Sequence, residues 1–208
     1  ADRLSCYNCR FTGWQDTIFN GDPMTCNMKK LMLPDFFQAS EVPIVHKFYR
    51  NYFKDCYVCG DVDYIFGPNT AFFDHCEIHS IARVSEGKAY ITAASTPAGQ
   101  EFGLVFSHCR ITGEEPDSVY LGRPWRDCAK TAFICCELGD HICPEGWQNW
   151  GKVRAEVLSD YIEYGNFGPG ADCSGRSPLS RCLVNPEVET YFSKENVLVG
   201  EDGWIPAE

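Results

Sequence analysis

Two stretches of this chain, residues 6–19 (CYNCRFTGWQDTIF) and residues 55–67 (DCYVCGDVDYIFG), repeat one spacing of chemically similar residues. In each stretch an aspartate follows a cysteine by seven positions, and an Ile-Phe pair begins two positions after the aspartate. The matching residues are Cys9 and Cys56, Asp16 and Asp63, Ile18 and Ile65, and Phe19 and Phe66. This shared spacing predicts that the two stretches are equivalent turns of one repeating architecture.

Asp16 and Asp63, the aspartates of this repeat, are candidates for acid and base chemistry. If the stretches form neighbouring turns, the two carboxylates lie about 5 Å apart, the spacing of adjacent strands. Two carboxylates that close cannot both ionise freely, so one is favoured as the acid and the other as the anion. An acid and a nucleophile need that division of protonation states. The alternative is that both aspartates only cap strands, since aspartate is common in turns.

The cysteine spacing extends to further turns and aligns other side chains into columns. The aligned cysteines are Cys9, Cys56, Cys76, Cys109 and Cys136. Two positions after each cysteine come Phe11, Val58, Ile78, Ile111 and Leu138. Three positions before the last four of these cysteines comes an aromatic column: Phe53, Phe73, Phe106 and Phe133. Directly before the first four of these cysteines comes a polar column: Asn8, Asp55, His75 and His108.

These columns predict an all-β fold, a right-handed parallel β-helix. The aromatic and cysteine columns are separated by an odd number of residues, so the chain must bend between them, where a polar residue is favoured. The steps between the cysteines are 47, 20, 33 and 27 residues, which loops inserted into a short basic turn explain. An ordinary β-sandwich with accidental column matches is the alternative.

The composition indicates one globular unit. The chain has 208 residues, 44% of them hydrophobic, and no linker divides it, so residues 1–208 are predicted to form a single domain. Residues 20–47 are predicted to pack as a cleft wall, and the tail after about residue 159 to run outside the helix as an irregular cover. The net charge of −11 and the pI of about 4.9 argue against nucleic acid or membrane as a partner.

Thirteen cysteines are present, and those of the column are expected to behave as small apolar core residues. Two Cys-x-x-Cys pairs suggest zinc as an alternative, but their wide separation and inward-facing members argue against it, so no metal is predicted. These pairs are Cys6 with Cys9 and Cys56 with Cys59. Disulfides remain possible among Cys128, Cys143, Cys173 and Cys182.

Several motifs together resemble the pectin methylesterase family. The central three are WQDTIF (14–19), GDVDYIFG (60–67) and LGRPW (121–125), and CPEGWQNW (143–150) with YIEYGNFGPGA (161–171) is similar to the family's closing region. The resemblance covers essentially the whole chain. It implies a right-handed parallel β-helix, in agreement with the columns, and methylated pectin or an oligogalacturonide as the partner.

The resemblance also implies roles for six residues and requires no metal or organic cofactor. Asp63 would be the nucleophile, and Asp16 the general acid and then the general base. Gln15 would stabilise the oxyanion, and Arg123 would orient Asp63. The substrate-binding residues would be Trp125 and Phe66, which stack on sugar rings.

One departure from the family concerns the start of the chain. The family has further rungs before this point, with another glutamine in the oxyanion hole, so the chain is expected to be a C-terminal portion of a longer protein. Two other readings remain open: a non-catalytic galacturonan-binding or structural β-helix, and an esterase or thioesterase acting on another ester. Localisation stays open, because the family is mostly extracellular whereas the odd, high cysteine count favours a reducing compartment.

Overall fold

The computed structural model describes residues 2–21 and 49–207. Its β-strands in chain order are β1 (Leu4–Tyr7), β2 (Arg10–Thr12), β3 (Ile18–Phe19), β4 (Arg50–Lys54), β5 (Tyr57–Gly60), β6 (Val62–Gly67), β7 (Thr70–Asp74), β8 (Glu77–Ser80), β9 (Ala89–Ala94), β10 (Leu104–Ser107), β11 (Arg110–Gly113), β12 (Val119–Gly122), β13 (Lys130–Ile134), β14 (Glu137–Leu138), β15 (Asp160–Tyr164) and β16 (Ser180–Leu183). The α-helices are α1 (Ala155–Leu158), α2 (Glu187–Tyr191) and α3 (Lys194–Leu198).

The strands form three sheets in which the paired strands are parallel. The seven-stranded sheet has the order β1-β4-β7-β10-β13-β15-β16, the five-stranded sheet β14-β11-β8-β5-β2, and the four-stranded sheet β12-β9-β6-β3. Three consecutive strands such as β4, β5 and β6 therefore make one turn, and each pairs with the strand one turn further along the chain. This arrangement is the predicted right-handed parallel β-helix.

The predicted columns are confirmed by the strand register. In the five-stranded sheet Phe11 pairs with Val58, and the column continues through Ile78, Ile111 and Leu138. The four phenylalanine rings of the aromatic column stack on one another, with centroids 4.6, 4.7 and 4.5 Å apart. The thiols of the inner cysteines point into the same core and donate to backbone carbonyls of the preceding turn. Stacking identical residues in register thus fills the interior.

The predicted bend is a left-handed backbone position. Asn8, Asp55, His75 and His108 have φ of 53°, 52°, 52° and 53°, and each lies between the seven-stranded and five-stranded sheets. Asparagine, aspartate and histidine adopt this conformation more readily than other residues with a Cβ atom. The column continues to Cys135, also at 53°, which the sequence reading did not include.

The prediction for the tail was wrong in part. Rather than forming only an irregular cover, the tail adds β15 and β16 to the seven-stranded sheet, with Tyr161 paired to Thr131 in β13. The rest does cover the outside, because Val188 of α2 and Leu198 of α3 pack on the outward face of that sheet in a second apolar cluster. The predicted cleft wall lies almost wholly outside the described residues.

The remaining cysteine predictions are also resolved. Cys173 and Cys182 form a disulfide, whereas Cys128 and Cys143 are free thiols. The Cys56 thiol faces the core and donates to the Cys6 carbonyl, which agrees with the packing interpretation of the Cys-x-x-Cys pairs. In the part of the chain that the structure describes, no helix has the length and apolarity needed to cross a membrane.

Candidate active site

Asp63 lies at a β-bulge of β6. The register of β6 against β9 pairs Val62 with Tyr90 and Ile65 with Thr92, so β6 carries one more residue than its partner at this point. Asp63 absorbs the extra residue with a φ of 51°, a conformation that aspartate tolerates. The bulge sends the neighbouring Tyr64 into the core, where its hydroxyl lies 2.8 Å from the Ser80 hydroxyl. The Asp63 carboxylate turns outward instead, toward Arg123.

Arg123 binds the Asp63 carboxylate through a bidentate hydrogen bond from its guanidinium. Nε donates to Oδ1 at 2.8 Å and Nη2 donates to Oδ2 at 2.7 Å. Only 8% of the Asp63 side chain and 15% of the Arg123 side chain are exposed, so water screens the pair weakly. A planar, two-point, charge-assisted pair fixes the orientation of the carboxylate plane.

Two aromatic rings hold the Arg123 guanidinium in place. Its Cζ atom lies 3.8 Å from the ring centroid of Tyr90 and 3.7 Å from that of Trp150. Trp150 has a φ of 55°, and its N–H donates to Oε1 of Gln148 at 2.6 Å. Sequence reasoning missed both rings as parts of the site. Trp150 ends the quoted CPEGWQNW motif, which is a usable signal, whereas nothing in the sequence marks Tyr90.

Asp16 occupies the same register one turn earlier. Ile18 pairs with Ile65 and the Asp16 N–H donates to the Val62 carbonyl, which sets Asp16 beside Asp63 on the neighbouring turn. Its φ of 59° matches that of Asp63, but Asp16 is exposed. Although its side chain is exposed, partial desolvation raises the pKa of Asp16, and the negative charge of Asp63 raises it further. A hydrogen bond from Gln15 and the charge of Arg123 oppose this rise without cancelling it.

Trp125 and Phe66 form an aromatic pair next to the aspartates. Their ring centroids lie 5.7 Å apart with an edge-to-face angle of 63°, and the Phe66 ring also contacts Phe19 at 4.9 Å. Both predicted substrate-binding residues are half-buried, so part of each ring remains available for contact. The structure therefore brings the six predicted site residues to one region.

Two further cations flank this region and were missed by sequence reasoning. Arg126 lies over the Trp125 ring at 4.9 Å, and Lys152 lies over the Trp150 ring at 4.1 Å while donating to the Pro124 carbonyl at 2.8 Å. Burial lowers the pKa of Lys152, and the neighbouring charges of Arg126 and Arg123 lower it further. Within residues 2–21 and 49–207, no carboxylate forms an ion pair with Arg126 or Lys152. Arg126 and Lys152 thus place positive charge beside the aspartates, and the nearby carboxylates of Asp127 and Asp63 partly offset it at Lys152.

A β-helix with an oriented aspartate, a second aspartate of raised pKa and an aromatic lining is the type of site found in carbohydrate-active hydrolases. Comparison with known proteins is more specific, since the Pectinesterase family profile matches residues 38–201. The chain belongs to the pectinesterase family.

Individual relatives and solved structures agree with that assignment. Pectinesterase 31 of Arabidopsis thaliana is 37% identical over 189 residues, covering 90% of this chain and 50% of the relative. Probable pectinesterase A of Aspergillus fumigatus is 36% identical, covering 86% of this chain and 48% of the relative. The chain spans about half the length of these relatives. The pectin methylesterase from carrot superposes with a TM-score of 0.77 at 25% identity, covering 97% of this chain and 58% of that structure.

Proposed function

We propose that this chain hydrolyses methyl esters of pectin, releasing methanol and leaving free galacturonate. The observation that carries the proposal is the contrast within the aspartate pair. Asp63 is buried and oriented at two points by Arg123, whereas Asp16 is exposed, and partial desolvation and the charge of Asp63 raise its pKa. One carboxylate is prepared to attack and the other to hold a proton. The family of the chain and its similarity to the carrot pectin methylesterase support this reading.

The reaction follows from these two environments. An Asp63 oxygen attacks the C6 carbonyl carbon of a methylated galacturonate, and the Gln15 amide donates to the oxyanion that develops. Asp16 gives its proton to the departing methoxy group, so methanol leaves and an acyl-enzyme on Asp63 remains. Asp16, now a carboxylate, takes a proton from water, which attacks the acyl group and restores Asp63. Before the attack and after the acyl group is hydrolysed, Arg123 holds the Asp63 carboxylate plane in one orientation.

The substrate is proposed to be pectin or an oligogalacturonide lying along the aromatic pair Trp125 and Phe66. A solved pectin methylesterase in complex with a hexasaccharide superposes on this chain with a TM-score of 0.71 at 25% identity. The net charge of −11 opposes binding of a polyanion, but Arg126 and Lys152 supply positive charge at this site. Partly esterified galacturonan carries both neutral and anionic sugar residues. It therefore suits an acidic protein that has cations beside its binding site.

Methanol release from highly methylated pectin tests the proposal. The chain is expected to release methanol, and the matched variants Asp63→Asn and Asp55→Asn separate the site from the fold. Asp55 has the same left-handed backbone, φ 52°, but lies in the bend column, so its variant should keep activity. Binding of oligogalacturonide without methanol release would favour the galacturonan-binding alternative. Hydrolysis confined to small aryl esters or thioesters would favour the alternative of an esterase or thioesterase that acts on another ester.

A further inference from the structure

Three metal-ligating side chains meet at a place remote from the aspartates, at the bend between the seven-stranded and five-stranded sheets. They are His108 from the turn between β10 and β11, Cys135 from the turn between β13 and β14, and Glu189 from α2. Their ligand atoms all lie within 4.8 Å of one another, and His108 Nε2 is 3.7 Å from Glu189 Oε1. Asp63, by contrast, lies in the four-stranded sheet.

The His108 ring is already oriented as a ligand. Its Nδ1 atom lies 2.9 Å from the Ser107 hydroxyl, and the ring stacks on that of His75 with centroids 5.2 Å apart and planes at 8°. When Nδ1–H donates to the hydroxyl, the lone pair is on Nε2, the atom that faces Glu189. Metal-binding histidines commonly use their second nitrogen in this way, which fixes the tautomer and the ring plane.

Cys135 is an unusual residue for its position. Asparagine, aspartate and histidine fill the other four places of the bend column, and a cysteine at φ 53° has no side-chain acceptor that stabilises the left-handed backbone. Gly165, at φ 62° on the following turn, packs against the sulfur, because a Cβ atom there would lie 3.0 Å from Cys135 Sγ. A strained position that presents a half-buried thiol toward His108 and Glu189 points to a function for the sulfur.

We propose that His108, Cys135 and Glu189 bind one zinc ion, with the fourth position open to water. Nitrogen, sulfur and oxygen donors together match the ligand preferences of zinc. Bonds of about 2.0–2.3 Å in a tetrahedron put neighbouring donor atoms roughly 3.3–3.8 Å apart, so small side-chain rotations complete the site. The ion ties α2, whose Val188 packs on the outer apolar cluster, to two turns of the β-helix.

Titration of the metal-free chain, with its Cys173–Cys182 disulfide intact, with zinc against a chromophoric chelator tests the proposal. One equivalent should bind, and the affinity should fall by at least about 100-fold in Cys135→Ala and Glu189→Gln, and by about tenfold in Ser107→Ala. Cobalt as a probe should give a thiolate-to-metal absorption band that disappears in Cys135→Ala. Zinc should also raise the Tm of the parent chain, by about 5–10 °C at a hundredfold excess over the Kd, and not that of the variants.

The controls are Cys128→Ala, which removes a half-buried thiol elsewhere, and Glu187→Gln, which changes an exposed carboxylate on the same helix. Both should bind zinc as the parent chain does. Glu189→Gln alters one exposed position, so it keeps the test decisive if Cys135→Ala does not fold. Absence of stoichiometric binding overturns the proposal. Equal binding by the parent chain and Cys135→Ala does so as well, since it places the metal at other thiols such as Cys6 and Cys9.

Discussion

Asp63 and Asp16 have the same register and nearly the same backbone, yet their surroundings differ sharply. Asp63 is buried in β6, between the neighbouring strands β3 and β9, and is held at two points by Arg123. Asp16 is exposed just before β3, the end strand of the same sheet, and it accepts a hydrogen bond from Gln15 instead of a two-point contact from an arginine. A repeat places two identical groups side by side, and the packing around each makes them different: one is paired with a guanidinium, and the pKa of the other is raised.

The largest expected effect comes from removing the oriented anion. Asp63→Asn keeps the shape of the side chain but removes the attacking carboxylate, so methanol release should fall by roughly 10⁴-fold or more. Oligogalacturonide binding, measured by calorimetry, should persist because the aromatic pair is untouched. Methanol release within tenfold of the parent chain would refute the nucleophile assignment, provided that Asp55→Asn behaves like the parent.

Removing the proton carrier should have the next largest effect. Asp16→Asn cannot donate to methanol or accept from water, so turnover should fall by about 10²–10⁴-fold. The pH profile adds an independent measurement. Because the pKa of Asp16 is raised, the acid form persists above the ordinary aspartate range, and activity should decline as pH rises through that pKa. This basic limb should be absent in the residual activity of Asp16→Asn; an unchanged limb would assign it to another group.

A smaller loss of turnover is expected when Arg123 is replaced by lysine, which keeps the positive charge but not the planar guanidinium. Arg123→Lys replaces two parallel hydrogen bonds to Asp63 with at most one, and an ammonium does not fill the space between the Tyr90 and Trp150 rings as a planar guanidinium does. A lost hydrogen bond to a charged group costs about 1.5–3 kcal/mol, which corresponds to a fall of about 10–150-fold in turnover. Turnover equal to that of the parent chain would show that orientation of Asp63 is unimportant.

The cation beside the site should affect binding rather than chemistry. Lys152→Gln removes one positive charge near the aromatic residues, so KM for partly de-esterified pectin should rise about two- to fivefold at low salt, with kcat nearly unchanged. The difference from the parent chain should shrink as ionic strength rises. Lys130→Gln, whose ammonium donates to the Glu101 carbonyl, is the matched control. A salt-independent effect would indicate a packing role for Lys152.

The smallest expected effects are on stability and compare the turn that carries Asp63 with the turn that carries Asp16. The substitutions lie outside the candidate active site. Cys56 is 2% exposed in the turn of Asp63, so Cys56→Ala should lower the free energy of unfolding by about 1 kcal/mol. Cys9, in the turn of Asp16, is only half-buried, and Cys9→Ala should cost less. Urea denaturation measures both, and activity of the folded variants should match the parent chain. An equal cost at the two positions would show that the end turn is packed as tightly as the inner one.

Most of the fold could be predicted from local sequence patterns. The aligned cysteines predicted the strand register, because a parallel β-helix repeats the same inward position on every turn. The polar residues before the cysteines predicted the left-handed bend, because few residues with a Cβ atom adopt that backbone. The strands β15 and β16 were missed because the Gly- and Pro-rich tail that contains them reads as irregular.

In the candidate active site, too, the sequence predicts some features and only the tertiary structure determines the others. The equal offsets of Asp16 and Asp63 could be read from the sequence, since both are set by short-range register within β-helix turns. The sequence also supplied Gln15, Arg123, Trp125 and Phe66, but only through motif resemblance. Tertiary structure alone decided how Arg123 meets Asp63 across 60 residues: through two parallel hydrogen bonds, with the guanidinium between the rings of Tyr90 and Trp150. Loops of unequal length separate these residues, so spacing carries no information about their contact, and only packing of successive turns brings them together.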